Sequence, residues 1–187
     1  MKVLVLDNYD SFTYNIVQIL RDIGNIIISV KRNDKIEISE VESYDKLILS
    51  PGPSLPKDAG IMNEIIKNYY SSKPILGICL GHQAIAENFG ANLFNLSEPY
   101  HGVQTDIILE EDYIFKGLNK VIRACRYHSW AVEKKPFPKN LKVIAYDDLG
   151  VIMGISHEKY DLKGIQFHPE SVQTVEGFKI INNFINN

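Results

Sequence analysis

Hydrophobic and polar positions follow two regimes along the chain. In the first half, KVLVL (2–6), IIISV (26–30), KLILS (46–50) and ILGI (75–78) are short runs that are apolar almost throughout. Runs of this kind predict strands covered on both faces. Between them, FTYNIVQIL (12–20) and GIMNEIIKNYY (60–70) place apolar residues three and four apart, the spacing of an amphipathic helix. Strands and helices in alternation predict an α/β fold: an open, mostly parallel sheet with helices on both faces.

The second half changes character. VQTDIILEE (103–111), VIRACRYHS (121–129), LKVIAYDD (141–148), VIMGIS (151–156) and KGIQF (163–167) are separated by short turns and read as antiparallel strands or an extended edge. TVEGFKIINNFI (174–185) closes the pattern as a helix that would pack back through Val175, Phe178, Ile181 and Phe184. No internal repeat, low-complexity tract or linker interrupts the 187 residues, so one domain over 1–187 is expected.

Composition narrows the function classes. A hydrophobic share of 45%, a charged share of 23% and a formal charge of -3 describe an ordinary soluble globular protein. The basic stripe of a nucleic-acid binder is missing, so no nucleic acid is expected as partner. MKVLVLD is too brief for a secretory signal, and no stretch approaches the ~18 apolar residues of a membrane span. A cytoplasmic location is the expectation. In such a reducing compartment Cys79 and Cys125 are separate thiols rather than a disulfide.

Open parallel sheets bind ligands beyond the carboxyl ends of their strands. Four such ends carry chemistry: DNYDSFT (7–13), SPGPSLP (50–56), CLGHQ (79–83) and HPES (168–171). In Gly77-Ile78-Cys79-Leu80-Gly81, small residues on both sides allow a strand to turn sharply into a helix and present the central side chain. An isolated cysteine is ordinarily a small buried hydrophobe. At a helix N-terminus, though, partial positive charge favours the thiolate, so Cys79 is the candidate nucleophile. A nucleophile needs a base, and the base an orienting group. His168 follows the strand GIQF and precedes Pro169-Glu170; alternation sends His168 and Glu170 to one side, where the carboxylate can hold one ring nitrogen while the other faces the thiol. No other histidine has an acid so placed: His82, three residues after Cys79 at the start of the helix, lacks such a partner, and His101, His128 and His157 read as ordinary polar or capping positions. Acyl chemistry also needs oxyanion donors. Gly52 supplies the only backbone N–H of Pro51-Gly52-Pro53, and Leu80, next after the nucleophile, supplies the second.

Two other readings compete. Cys79-x-x-His82 and Cys125-x-x-His128 add up to four zinc ligands, but Cys125 and His128 lie three apart on an expected strand and point to opposite faces. No metal is therefore expected. A receiver-type signalling domain shares the parallel sheet and the acidic pair Asp7 and Asp10; its phosphoacceptor aspartate should end the third strand, where Ser50 stands.

With these residues in place, SPGPSLPKDAG, PILGICLGHQAIAENFGA, YHSW and GIQFHPES occur in the order found in class I (triad) glutamine amidotransferases, and the chain resembles that family along essentially its entire length. The resemblance implies a flavodoxin-like fold and hydrolysis of L-glutamine through a glutamyl thioester on Cys79, with His168 moving protons and Glu170 orienting it. It also implies that Gln83 and the backbone of Ser129 and Trp130 bind glutamine, with Gly52 and Leu80 as the oxyanion hole. No organic cofactor is implied.

LDNYDSFTYN (6–15) is similar to the signature of the chorismate-using branch, the small subunits of anthranilate synthase and aminodeoxychorismate synthase. Asn8, Tyr9, Asp10, Ser11 and Phe12 then form a mixed polar and aromatic patch suited to docking a synthase chain, although Asp10 or Ser11 also reads as a helix N-cap. With no synthase domain before Asn187, a separate partner chain is expected, making anthranilate or, with identical chemistry here, 4-amino-4-deoxychorismate. A catalytically idle regulatory domain on the same fold would need a missing triad member, and none is missing. Three positions depart from the family pattern: Ser54 replaces a usual glycine, Val103 a common lysine, and Trp130 a smaller apolar residue.

Overall fold

A computed structural model describes residues 1–187. Strands β1 (Lys2–Asp7), β2 (Ile27–Arg32), β3 (Lys46–Leu49), β4 (Ile75–Ile78), β6 (Val103–Leu109), β7 (Val121–Arg126), β9 (Leu141–Asp147), β10 (Ile152–His157) and β11 (Leu162–Ile165) form one sheet; β5 (Leu93–Asn95) and β8 (Trp130–Val132) form a small second one. The main sheet runs β2-β1-β3-β4-β11-β10-β9-β6-β7. β2 through β11 are parallel, and everything from β11 onward is antiparallel. β11 is therefore the seam: parallel to β4 on one edge, antiparallel to β10 on the other.

Alternation along the central strands explains the two cores. Val3, Val5, Ile48, Leu76 and Ile78 face one side, where helices α1 (Thr13–Ile23) and α4 (Gly177–Asn186) cover them. Leu4, Leu6, Leu47, Leu49 and Ile75 face the other, beneath α2 (Met62–Tyr69) and α3 (Leu80–Asn88). Both faces are dry, which is why these strands carry so few polar residues. At ~25 cal/mol per Å² of apolar surface, each large side chain so covered contributes roughly 1.5–3 kcal/mol.

The structure moves several expected boundaries. β7 stops at Arg126, so 127–129 are loop, and the chain returns to a strand only at Trp130. KGIQF pairs in parallel with β4 as well as antiparallel with β10, and it lies mid-sheet rather than at an edge. α4 begins at Gly177; Ile180, Ile181, Phe184 and Ile185 are its buried face, while Val175 is 82% and Phe178 45% exposed. Starting the helix three residues later leaves Val175 in the preceding turn and rotates Phe178 outward.

Gly177 has a further constraint. A Cβ built there would overlap the Pro169 carbonyl oxygen and lie 2.6 Å from its carbon, so α4 starts in backbone contact with the His168-Pro169-Glu170 segment. Gly177→Ala should cost about 3 kcal/mol, a fall in Tm of roughly 10 °C, read by thermal unfolding.

Candidate active site

Cys79 sits at φ 52° and ψ -98°, a strained backbone for a residue with a Cβ. Two glycines make the bend possible. A Cβ on Gly77 would stand 2.5 Å from the Gly81 carbonyl, and one on Gly81 would stand 2.6 Å from the Leu49 oxygen. The turn is pinned at both ends: the Cys79 N–H donates to the Ile165 carbonyl (2.8 Å) and its own carbonyl accepts from the Gln83 N–H (3.0 Å). The thiol is thus held at the start of α3, where backbone N–H groups converge.

Across the seam, His168 leaves β11 and is anchored by its neighbours. Its N–H donates to the Cys125 carbonyl (2.9 Å), and its carbonyl accepts from Thr174 Oγ1 (2.7 Å). Cys125 is fully buried and serves here through its backbone. His168 Nδ1 donates to Glu170 Oε1 at 2.6 Å, with both side chains almost fully buried. Burial disfavours the charged ring, yet the adjacent Cys79 sulfur and the Glu170 carboxylate outweigh it and raise the His168 pKa well above the ordinary range. His168 Nε2 has no hydrogen-bond partner. The Cys79 sulfur lies close enough to the ring to act on it electrostatically.

The loop after β3, expected to carry an oxyanion donor at Gly52, approaches Leu80 and Asn8. A Cβ on Gly52 would stand 2.9 Å from Leu80 Cδ2 and 2.7 Å from Asn8 Cβ. Neither the Gly52 nor the Leu80 N–H donates to another protein atom. Asn8 is 2% exposed, which corrects its expected place in a surface patch. Its backbone N–H donates to Ser50 Oγ (2.9 Å), its Nδ2 donates to the Ser50 carbonyl (2.8 Å), and its Oδ1 accepts from Asn33 Nδ2 (3.1 Å). Asn8 is a buttress under the loop after β3. Ser54 in that loop takes φ 66°, the left-handed region that glycine occupies without strain. A cleft of about 410 Å³ bordered by Tyr9, Ser54 and Leu80 opens next to it.

Of the remaining surface set, Tyr9, Ser11 and Phe12 are exposed and Asp10 is half-buried. Tyr9, at φ 62°, lies over the Arg32 guanidinium (4.7 Å) and donates its hydroxyl to Asp34 Oδ1 (2.7 Å). Asp10 Oδ2 accepts from the Phe12 N–H (2.7 Å) at the entrance to α1. The Phe12 ring lies 5.4 Å from Tyr127 and 6.4 Å, edge-on, from His168, so this patch reaches the imidazole.

Among the residues expected to bind glutamine, Gln83 Nε2 donates to the Trp130 carbonyl (2.9 Å) and to Gln166 Oε1 (3.1 Å). The Trp130 carbonyl also accepts from His128 Nδ1 (2.8 Å), so both its lone pairs are engaged and it has no acceptor capacity left for a ligand. The Ser129 carbonyl accepts from the Leu96 N–H, whereas the Ser129 N–H remains free. His128, expected as an ordinary polar position, is buried: its Nε2 accepts from Arg126 Nε (3.0 Å), and Arg126 is paired with Asp147 (2.8 Å) and stacked under Tyr100. Two residues that the motifs do not mark also reach the sulfur: Gln166, whose Nε2 lies 3.5 Å from Cys79 Sγ, and Tyr127, whose carbonyl lies 4.0 Å from it. Gln166 precedes His168 by two, so the alternation that pairs His168 with Glu170 also points to it. Cys79, His82, Cys125 and His128 gather into no metal-binding group.

The family model for class-I glutamine amidotransferases matches residues 4–187. The chain belongs to the class-I glutamine amidotransferase family. It is 46% identical over 187 residues to anthranilate synthase component 2 of Cyanophora paradoxa, covering 98% of each chain. It is 45% identical over 185 residues to the aminodeoxychorismate/anthranilate synthase component 2 of Bacillus subtilis, covering 98% of this chain and 95% of that one. A crystal structure from Thermoplasma acidophilum, described as a GMP synthase subunit, superimposes with a TM-score of 0.88 at 30% identity over 99% of this chain and 92% of that one. No helix of this amidotransferase is long and apolar enough to cross a membrane.

Two buried histidines contribute to the response of this amidotransferase to acid. Burial, with the Arg126 charge beside it, pushes the His128 pKa down to about 3, and burial pushes that of His82 down to about 4, against an ordinary value of 6.5. Because the folded values are depressed, the unfolded chain takes up protons that the folded one refuses; their contribution is complete above about 6.5 and is lost as the pH falls toward 3. Neither His82 ring nitrogen has a partner, so His82→Met removes a buried, unpaired polar group. It should raise the urea midpoint more at pH ~5 than at pH ~8. In the loop, Ser54→Gly should gain about 1 kcal/mol by relieving the left-handed backbone, measured by the same denaturation.

Proposed function

We propose that this chain is the glutaminase subunit of a chorismate-using synthase: it hydrolyses L-glutamine to glutamate and ammonia and delivers the ammonia to a separate synthase chain, most directly one that makes anthranilate. The observation that carries the reading is the His168–Glu170 pair of 2.6 Å set beside Cys79 on a strained strand-to-helix bend.

In this reading His168 Nε2 takes the thiol proton, and the Cys79 sulfur attacks the side-chain carbonyl of glutamine. Negative charge gathers on the carbonyl oxygen, where the free N–H groups of Gly52 and Leu80 meet it; one such donor is worth roughly a hundredfold or more in rate. As the C–N bond breaks, His168 returns its proton to the departing nitrogen and ammonia leaves. Water, deprotonated by the same imidazole, then opens the thioester and releases glutamate. Glu170 keeps the ring aimed and stabilises the imidazolium. Gln83 and the Ser129 N–H bind the amino-acid end of the substrate. Tyr9, Ser11 and Phe12 face the partner, and the contact of Phe12 with His168 supplies a route by which docking adjusts the base.

A second product has its own support, since the Bacillus subtilis relative carries both aminodeoxychorismate and anthranilate synthase in its name. The chemistry of this chain is the same for either.

Cys79→Ala, assayed with chorismate and an anthranilate-forming synthase chain, should lose glutamine-dependent product by about a thousandfold or more and keep the ammonia-dependent reaction. Retained glutamine-dependent product would exclude Cys79 as the nucleophile. Repeating the assay with an aminodeoxychorismate-forming chain decides the partner.

A further inference from the structure

Cys79 has a polar neighbour that the triad does not include. Gln166 is fully buried, and its Nε2 lies 3.5 Å from Cys79 Sγ. The orientation of that amide is dictated by its surroundings. Arg126 can only donate, so His128 Nε2 is an acceptor and its Nδ1 carries the proton that goes to the Trp130 carbonyl. A carbonyl can only accept, so the Gln83 atom facing Trp130 is its NH₂. That same NH₂ meets Gln166, whose facing atom must therefore be oxygen, which leaves the Gln166 NH₂ aimed at the sulfur. Every link from the Asp147–Arg126 ion pair onward has one polarity, and the chain ends in an N–H donor at the nucleophile.

We propose that Gln166 is a further catalytic residue, whose side-chain N–H donates to Cys79 Sγ and stabilises the thiolate before attack. The proposal rests on reading Cys79 as the nucleophile. When the thiol proton passes to His168 Nε2, the electron pair left on sulfur is what the Gln166 N–H meets, and a hydrogen bond to a charged acceptor is about twice as strong as a neutral one. In the thioester that pair is shared with the acyl carbon and the bond weakens. When water cleaves the thioester the thiolate departs and the bond is restored. The interaction thus favours both the reacting form and the leaving form of sulfur. The Tyr127 carbonyl, at 4.0 Å, has no hydrogen to offer and cannot take this part.

The test is alkylation of Cys79 by iodoacetamide across pH in the full chain, which requires no glutamine. Gln166→Leu removes the donor and should slow alkylation about tenfold near neutral pH, with the rate recovering at alkaline pH where the thiolate forms regardless. Gln166→Glu keeps the shape and still accepts from Gln83, but turns an acceptor toward the sulfur, so it should be slower than Gln166→Leu. A residue that only fills space would give the reverse order. Unchanged alkylation near neutral pH in either variant, with native circular dichroism, or a Glu variant faster than the Leu variant, overturns the proposal. Failure of the nucleophile reading shows separately, as glutamine turnover surviving in Cys79→Ala.

Discussion

The site depends on the pairing of β4 with β11. In this register Ile78 lies beside Ile165, so the two strands finish together and the residues just past each end, Cys79 and Gln166 with His168, emerge at one rim. The hydrogen bond from the Cys79 N–H to the Ile165 carbonyl locks this alignment. A slip of one residue would turn His168 and Glu170 to the opposite face, because side chains alternate along a strand. Residues far apart in the chain thus reach one another through a single parallel ladder.

Around that ladder the strain at Cys79 is held by packing. The Gly77–Gly81–Leu49 approach leaves no room for any Cβ, and α4 presses Gly177 onto Pro169 with equally little clearance. Cys79 and His168 are thus each backed by a glycine-mediated backbone contact. Beneath them runs a polar chain from Asp147 through Arg126, His128, Trp130 and Gln83 to Gln166. Its members are mutually satisfied, apart from the buried Arg126 Nη2, so burying them costs far less than the same groups unpaired. Polar groups in such a network hold one another's rotamers, and the sulfur inherits that order.

Much of this was legible before the structure. Three of the four runs of the first half read clearly because strands dry on both faces cannot hide behind alternation, while the edge strand β2, expected to be covered likewise, is only partly buried; the glycine-flanked cysteine marked its own bend. The His168–Glu170 pair was readable because the two residues share a face. Gln166 escaped notice because it stands inside an apolar strand, where a glutamine reads as filler until its partners are known. Asn8 was misplaced for the opposite reason: polar residues after a strand look exposed, and only the return of residues 50–53 over it makes it interior. β5 and β8, three residues each, are too short to carry a period. Val175 and Phe178 kept helical spacing with their apolar neighbours, but spacing alone does not tell where a helix begins.

The position of β11 also orders events in time. It is the central strand of the nine, yet it is synthesised after all the others, so a chain still on the ribosome lacks the middle of its own sheet. Until it inserts, β4 and β10 have exposed edges, and Cys79 has neither Gln166 nor His168 beside it. Such late, long-range closure is slow and leaves unpaired edges open to other chains. It also means that a nascent copy keeps Cys79 apart from Gln166 and His168 until its last strand is in place.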